Sequence, residues 1–400
     1  MRIALVLNDN FSMWHFRKGL IRTLCQQGHD VFTVTPDGPF VADLEGLGAK
    51  HRSVRMHRFV GPLADLMMLW DLYRTFRRER IELVHNMTVK PTIYGAVAAK
   101  LAGVRRTVAL VSGIGLPFMS GGGWRRHVLR IAVTAMYRIA FVLTDKVWFQ
   151  NPDDLSFFVS LGLLTDDKAV LIRGSGVNID EFDAESVGAE ALTPLRRELG
   201  ISSHSTTVMM VVARLIWSKG IKEFVEAAAI VADACPHARF CLVGPFEPGH
   251  PDAIPTDYLE QKQSRNLFVY TKFRQDVREL LAVADVVVLP SYFREGVPRV
   301  LLEAMSLGKP IVTTDHPGCR ETVDHGINGW LVTPHSSQAL AQSLLPLIED
   351  ADLRRRFGES SRRKAEREFD ERAVVGRVLT NLYGFDSRQP ARPSAQSAHV

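Results

Sequence analysis

Two carboxylates and two cations have the types and spacing to do chemistry in this chain. Glu295 and Glu303 stand in the stretch Pro290-Ser-Tyr-Phe-Arg-Glu-Gly-Val-Pro-Arg-Val-Leu-Leu-Glu-Ala-Met-Ser-Leu-Gly-Lys-Pro310. The apolar, β-branched run Asp285-Val-Val-Val-Leu precedes it and Ile311-Val-Thr-Thr follows it, which reads as strand, loop, helix, strand. Pro298 is expected at the first helical position and Gly308 just past the last. Glu295 then lies on the loop at the strand's carboxyl end, Glu303 projects from the second helical turn, and both face one crevice. Open α/β sheets bind ligands in such a crevice, and the amides at a helix N-terminus there receive an anion. Gly296 lets the backbone come close to a bound group. The cations are Arg214 and Lys219, in Ala213-Arg-Leu-Ile-Trp-Ser-Lys-Gly220 after another apolar strand. A guanidinium offers a planar fork to phosphate oxygens and an ammonium offers a point charge, so the pair suits a diphosphate.

Glutamate, seven residues, glutamate on a strand-loop-helix resembles the signature of the retaining glycosyltransferases of family 4, and nearly the whole chain follows that family's pattern. The resemblance implies an α/β protein of the GT-B fold, with two doubly wound Rossmann-like domains facing each other across a cleft. It implies that Glu295 holds the hydroxyls of the donor sugar, that Glu303 holds the ribose, and that Arg214 and Lys219 neutralise the leaving nucleoside diphosphate. Gly296, Val297 and Arg299 join the donor-binding set. Thr271 and Phe273 follow the strand 267–270, where the family's backbone grips a nucleobase, although Thr271 replaces the usual glycine. The implied activity is transfer of a hexose or N-acetylhexosamine from a nucleotide sugar, a UDP sugar being expected, with retention of configuration. Cleaving the donor bond builds negative charge on the diphosphate, which placed cations and helix amides stabilise. No cofactor and no metal are therefore expected.

The acceptor side is less explicit. Val111-Ser-Gly-Ile-Gly-Leu-Pro-Phe118 and His15-Phe-Arg17 resemble the subgroup that extends polyprenyl-diphosphate-linked sugars in polysaccharide or N-glycan assembly. Ser112-Gly113 stands where family members commonly have histidine-glycine, which removes the usual sugar-contacting histidine. His15 either approaches a phosphate or caps its helix, and Lys90 either holds an acceptor diphosphate or lies in solvent. Two other functions fit the same motifs: a transferase with a soluble acceptor, and a non-catalytic module that binds nucleotide sugar without turnover.

The elements that must position these residues alternate throughout. At 400 residues, 46% hydrophobic and 23% charged, the chain has the composition of a soluble globular enzyme with two to three domains. No uninterrupted apolar run reaches about 18 residues and the first residues enter a strand directly, so no membrane span and no signal peptide are expected. The expected location is the cytoplasm, peripheral on the inner face of the cytoplasmic membrane. The first βαβ unit lacks G-x-G-x-x-G, which argues against a nicotinamide dehydrogenase. Cys25, Cys235, Cys241 and Cys319 have neither metal-ligand spacing nor a disulfide pattern.

Strands and helices alternate over residues 1–178, an acidic linker is expected over 179–203, and a second doubly wound domain over 204–368. The amphipathic helix 369–385 characteristically crosses back onto the first domain in this fold, and a disordered tail is expected over 386–400. Residues 1–178 carry 23 Lys+Arg against 14 Asp+Glu, the rest 26 against 30. The basic half calls for an anionic partner, either a diphosphate substrate or a membrane surface, and for a glycosyltransferase nucleic acid is not expected. The helix over about 125–143 and the basic one ending Arg74-Thr-Phe-Arg-Arg-Glu-Arg80 set arginines among apolar residues. That pattern suits either a membrane interface or packing on the sheet.

Overall fold

The computed structural model describes residues 1–385 except 58–60, 115–117, 119–122, 202–205 and 264–266, and except the side chains of Arg125 and Arg126. The chain forms two compact units, residues 1–175 with the C-terminal segment from Glu371, and residues 176–370.

In the first unit the order is β1 (Arg2–Val6), α1 (Asn10–Gln26), β2 (Asp30–Thr35), α2 (Val41–Gly46), β3 (Lys50–Ser53), α3 (Pro62–Arg78) and β4 (Leu83–Met87). A π-helical turn (Pro91–Gly95) leads into α4 (Ala96–Ala102). Then come β5 (Arg106–Val111), α5 (Trp124–Val142), β6 (Lys146–Phe149), α6 (Pro152–Ser160) and β7 (Ala169–Leu171). The seven strands pair in parallel in the order β3-β2-β1-β4-β5-β6-β7. Strands covered on both faces read as continuous apolar runs, and Ile3 to Val6 and Val108 to Leu110 are fully buried. Helices show the other period: α3 buries Met68, Leu72 and Phe76 one turn apart. Asp9 caps α1 by accepting the Ser12 amide at 2.6 Å.

The second unit opens with α7 (Ala189–Glu198) and continues through β8 (Thr207–Val212), α8 (Ile221–Ala232), β9 (Ala238–Val243), α9 (Thr256–Gln263), β10 (Val269–Tyr270) and α10 (Val277–Val283). It proceeds with β11 (Val286–Leu289), α11 (Arg299–Ser306), β12 (Ile311–Thr314), β13 (Gly329–Val332), α12 (Ser337–Glu349) and α13 (Ala351–Phe369). Its parallel sheet has the order β10-β9-β8-β11-β12-β13. In each sheet the chain winds outward one way and then the other. The reversals fall between β1 and β4 and between β8 and β11, and these are the topological switch points where such sheets hold ligands.

Several expectations need correction. Of the expected linker 179–203, the described residues 179–201 belong to the second unit: Phe182, Val187, Leu195, Leu199 and Ile201 are buried in its core, and its boundary falls after Ser175. The acidic outer positions of this segment hide its apolar stripe in composition. The third strand is Lys50–Ser53, the strand 267–270 shortens to Val269–Tyr270, and β13 was not anticipated. The returning segment begins after a break at Asp370, as α14 (Glu371–Arg377) and a π-helical turn (Val378–Tyr383). Its side chains pack on the first unit: Val374, Val378, Leu379 and Leu382 join the core of α1 and β1, and the Tyr383 hydroxyl lies 2.8 Å from Nδ1 of His85. Burial drives the His85 imidazole down to about 3 with Arg17 adding to the effect, so the ring is neutral in the middle of β4. The tail 386–400 lies outside the described residues.

Candidate active site

The site of the second unit is made by two loops that leave β8 and β11 at the switch point. Backbone bonds join them: the Tyr292 and Phe293 amides both donate to the Ser218 carbonyl, at 2.8 and 3.0 Å. From the other side the Asp252 carboxylate accepts the Ser218 amide at 2.9 Å. The β8 loop ends at Gly220, with φ +74°, where a Cβ would stand 2.1 Å from the Pro290 carbonyl oxygen. Only glycine permits both that backbone and that approach.

The join brings Lys219 onto Glu295. The ammonium makes an ion pair with Glu295 Oε1, both side chains are largely buried, and the Phe293 ring centroid lies 5.9 Å from Nζ. Ser291, fully buried at the end of β11, places its hydroxyl 3.2 Å from both Glu295 Oε1 and the Ser218 carbonyl. The loop after β12 supports Glu295 from behind. Gly318, φ +82°, approaches so closely that a Cβ would stand 2.2 Å from the Gly296 carbonyl oxygen. Next to it Cys319 is fully buried, and burial, with Glu295 adding, pushes its thiol up to about 12, so it is an inert packing group. All four cysteines are free.

Helix α11 starts at Arg299 with Pro298 as its cap, one position later than expected, and Glu303 remains on the second turn. Glu303 Oε1 accepts from Arg299 Nε at 3.1 Å, and Arg299 also donates to the Gly176 carbonyl. Arg299 is thus a buried partner of Glu303 that ties the start of the unit to α11. The Val297 side chain packs in the core, so it adds no side chain to the crevice. Arg214 is one-third exposed, with Nη1 3.6 Å from Glu247 Oε2. At the sheet edge the Thr271 amide donates to the Leu242 carbonyl and its hydroxyl is buried without a partner, while Phe273 is half exposed.

Ser291, Phe293 and Asp252 were not anticipated. Ser291 stands two residues past the end of β11, directly after Pro290, and that position was the available signal.

At the switch point of the first unit, the Thr88 hydroxyl donates to Asn8 Oδ1 at 3.2 Å, with Thr88 itself in the left-handed region at φ +71°. His15 sits between the Phe11 and Phe40 rings, at centroid distances of 4.3 and 5.2 Å. Lys90 does not extend into solvent. It pairs at 2.5 Å with the buried Asp65, which also accepts the Tyr94 hydroxyl at 3.3 Å. Burial first, and Asp65 next, push that phenol up to about 12. Arg17 is buried, with its guanidinium 5.4 Å from the Trp148 ring and Nε 3.2 Å from Met87 Sδ. It serves the packing beneath the loops rather than their surface. Ser112 is exposed just after β5 and Gly113 has φ +117°, while most of the glycine-rich loop beyond lies outside the described residues.

The backbone demands at these loops predict an order of stabilities. Gly326, with φ +79° but only an ordinary 3.7 Å contact for an added Cβ, should lose about 1–2 kcal/mol on change to Ala. Gly220→Ala and Gly318→Ala should lose more, with transfer activity falling too, because the loops must part. Urea midpoints of the three variants check the order.

Two sequence models cover most of the chain: the glycosyl transferase 4-like domain over residues 13–156 and the glycosyl transferases group 1 over 195–364. With the two doubly wound units, they define the class: the chain is a glycosyltransferase of the GT-B type. More particularly, it belongs to the glycosyltransferases that join a 4-like domain to a group 1 domain, as the glutamate spacing implied. The N,N'-diacetylbacillosaminyl-diphospho-undecaprenol alpha-1,3-N-acetylgalactosaminyltransferase of Campylobacter jejuni is 28% identical, over 95% of this chain and 97% of that one. The UDP-Gal:alpha-D-GlcNAc-diphosphoundecaprenol alpha-1,3-galactosyltransferase of Escherichia coli is 25% identical, over 73% of each. Among solved structures, HepE of Anabaena in complex with UDP and glucose superposes with a TM-score of 0.79 at 23% identity, covering 96% of this chain and all of that one. Among the described residues no helix is long and apolar enough to cross a membrane.

Proposed function

We propose that this glycosyltransferase moves a hexose or N-acetylhexosamine from a UDP sugar to a polyprenyl-diphosphate-linked saccharide, with retention, during assembly of a cell-surface polysaccharide or glycan. The observation that carries the donor half is the Lys219–Glu295 pair at the β8/β11 switch point, with Arg214 on the same loop. A cation beside a carboxylate there can meet the diphosphate and the sugar hydroxyls of one donor together. The acceptor half is supported by the Campylobacter and E. coli relatives, whose names describe diphospho-undecaprenol sugars, and the choice of UDP by the E. coli name and the HepE complex. In this reading Arg214 and Lys219 stabilise the charge that develops on the leaving UDP, so no metal ion and no cofactor is needed. The protein works as a peripheral protein on the inner face of the cytoplasmic membrane, where such an acceptor is met.

The test begins with a thermal-shift screen of nucleotide sugars, since a ligand that binds only the folded state raises its apparent stability. Transfer from the selected donor to a prenyl-diphosphate-linked sugar is then measured in the presence of EDTA. Activity that survives EDTA and yields the retained anomer supports the reading. Strict dependence on an added divalent ion, or transfer to free sugars alone, would overturn it.

A further inference from the structure

We infer that His335, seated against the buried carboxylate of Glu223, is a positioning residue of the donor site: through the ring of Tyr292 it holds the β11 loop where Glu295 meets Lys219. The inference rests on the reading of the β8 and β11 loops as the donor site and assigns what keeps them in register.

Three successive residues of the β11 loop face different neighbours. The Ser291 hydroxyl stands 3.2 Å from Glu295 Oε1, and the Phe293 ring lies by the Lys219 ammonium. The ring of Tyr292, between them, lies against the imidazole of His335, with the centroids 3.8 Å apart and the planes tilted by 40°. The Tyr292 and Phe293 amides donate to one carbonyl, that of Ser218, so a turn of residue 292 would move the peptides that carry both bonds. The ring contact therefore fixes the backbone from which Ser291 and Glu295 project.

His335 is itself held from two sides. It lies between β13 and α12 with φ +60°, a left-handed conformation that glycine adopts without strain. Just beyond it, Ser336 caps α12 by accepting the Ala339 amide at 3.1 Å, and the Ser337 hydroxyl donates to Glu226 Oε2 of α8 at 2.6 Å. One turn earlier on α8, Glu223 places Oε1 3.8 Å from Nδ1 of His335, while its Oε2 is buried without a hydrogen-bond partner among the described residues. Burial raises the Glu223 carboxyl above its ordinary range, with Glu226 adding to the rise and His335 and Lys222 opposing it. Helix α8 begins two residues after Lys219, so the element that carries Glu223 also starts at the lysine. A carboxylate buried with one oxygen unmatched and a histidine held in a glycine conformation each cost free energy, and packing alone requires neither. Together they set an imidazole in a fixed plane against Tyr292.

Acylation of Lys219 in the full chain without ligand, followed by mass spectrometry, tests the inference, because pairing with Glu295 shields the amine and keeps it protonated. His335→Gly and Tyr292→Leu should each raise the Lys219 rate roughly threefold to 10-fold relative to exposed lysines of the same chain. Tyr292→Phe, which keeps the ring, should recover most of what Tyr292→Leu loses. Glu223→Gln should raise the rate by only about twofold, since the His335 side chain is 64% exposed and water screens the pair. His335→Gly should melt close to the unaltered protein, because the relieved backbone offsets the lost ring contact, and its kcat should fall by the same factor as the Lys219 rate rises. Lys219 rates in His335→Gly and Tyr292→Leu equal to that of the unaltered protein, a Tyr292→Phe as reactive as Tyr292→Leu, or a large fall in the melting temperature of His335→Gly would each overturn the positioning role. An unaltered protein that binds no nucleotide sugar, with the Lys219 rates in the expected order, would strike the donor reading instead and leave the loop arrangement standing.

Discussion

Lys219→Ala is expected to lower kcat on the order of 10²-fold with the donor saturating, and Arg214→Ala to act in the same direction. Both cations matter most as the glycosidic bond breaks, because charge then collects on the diphosphate, so the loss should fall in kcat more than in KM. The structure makes the two losses unequal. Arg214 is one-third exposed and lies 3.6 Å from Glu247, whereas Lys219 is largely buried and neutralises Glu295 directly. Removing the ammonium leaves a shielded carboxylate beside the site of an incoming dianion, so Lys219→Ala should also weaken UDP binding. Adding Glu295→Gln to Lys219→Ala should restore UDP affinity by removing the repulsion, while kcat stays low. Steady-state kinetics with calorimetry on the two singles and the double measure this coupling. Near-normal turnover in both single variants would sink the site.

How far the site was legible in the sequence follows from what kind of signal each part leaves. Glu295, Glu303, Arg214 and Lys219 could be found because each sits at a fixed offset from a strand that reads plainly: β8 and β11 are runs of buried, mostly β-branched residues, and their ends were placed without error. The contacts among them were not legible. The Lys219–Glu295 pair depends on the Ser218 carbonyl accepting two amides from the β11 loop, and backbone carbonyls have no residue type. Arg299 shows how the local pattern leaves out a side chain's partners. As a cation beside Glu303 it reads as a ligand group, and in the structure its Nε meets Glu303 while its Nη1 meets the carbonyl of Gly176, a residue 123 positions away. Lys90 and Arg17 likewise read as acceptor cations, and the structure turns one onto Asp65 and buries the other against Trp148. Burial of a charge is set by tertiary neighbours, which local pattern does not contain. The same reasoning explains 179–203: Asp180, Glu181, Asp183 and Glu185 set the composition ahead of α7, which keeps a proline, Pro194, inside the helix, while the apolar side chains between them are buried by tertiary neighbours.

Glu303 and Glu295 should separate the nucleotide from the sugar. If Glu303 holds the ribose hydroxyls, Glu303→Gln should weaken UDP and the UDP sugar by the same factor, while Glu295→Gln should weaken the UDP sugar and leave UDP nearly unchanged. Glutamine is the informative replacement at Glu303: alanine would leave the buried Arg299 guanidinium without its carboxylate, whereas an amide oxygen still accepts from Nε at the 3.1 Å position. Hydrogen bonds to a charged group contribute about 1.5–3 kcal/mol, so each affected affinity should fall by roughly 10-fold to 100-fold. Calorimetry with UDP and with the UDP sugar on both variants gives four affinities, and the pattern matters more than any one value. Pairing complicates Glu295, because neutralising it frees Lys219 for the diphosphate. UDP affinity in Glu295→Gln should therefore hold or rise slightly even as the sugar contact is lost. A fall in UDP affinity for Glu295→Gln equal to that for Glu303→Gln would show that the carboxylate on the β11 loop, rather than the one on α11, meets the nucleotide.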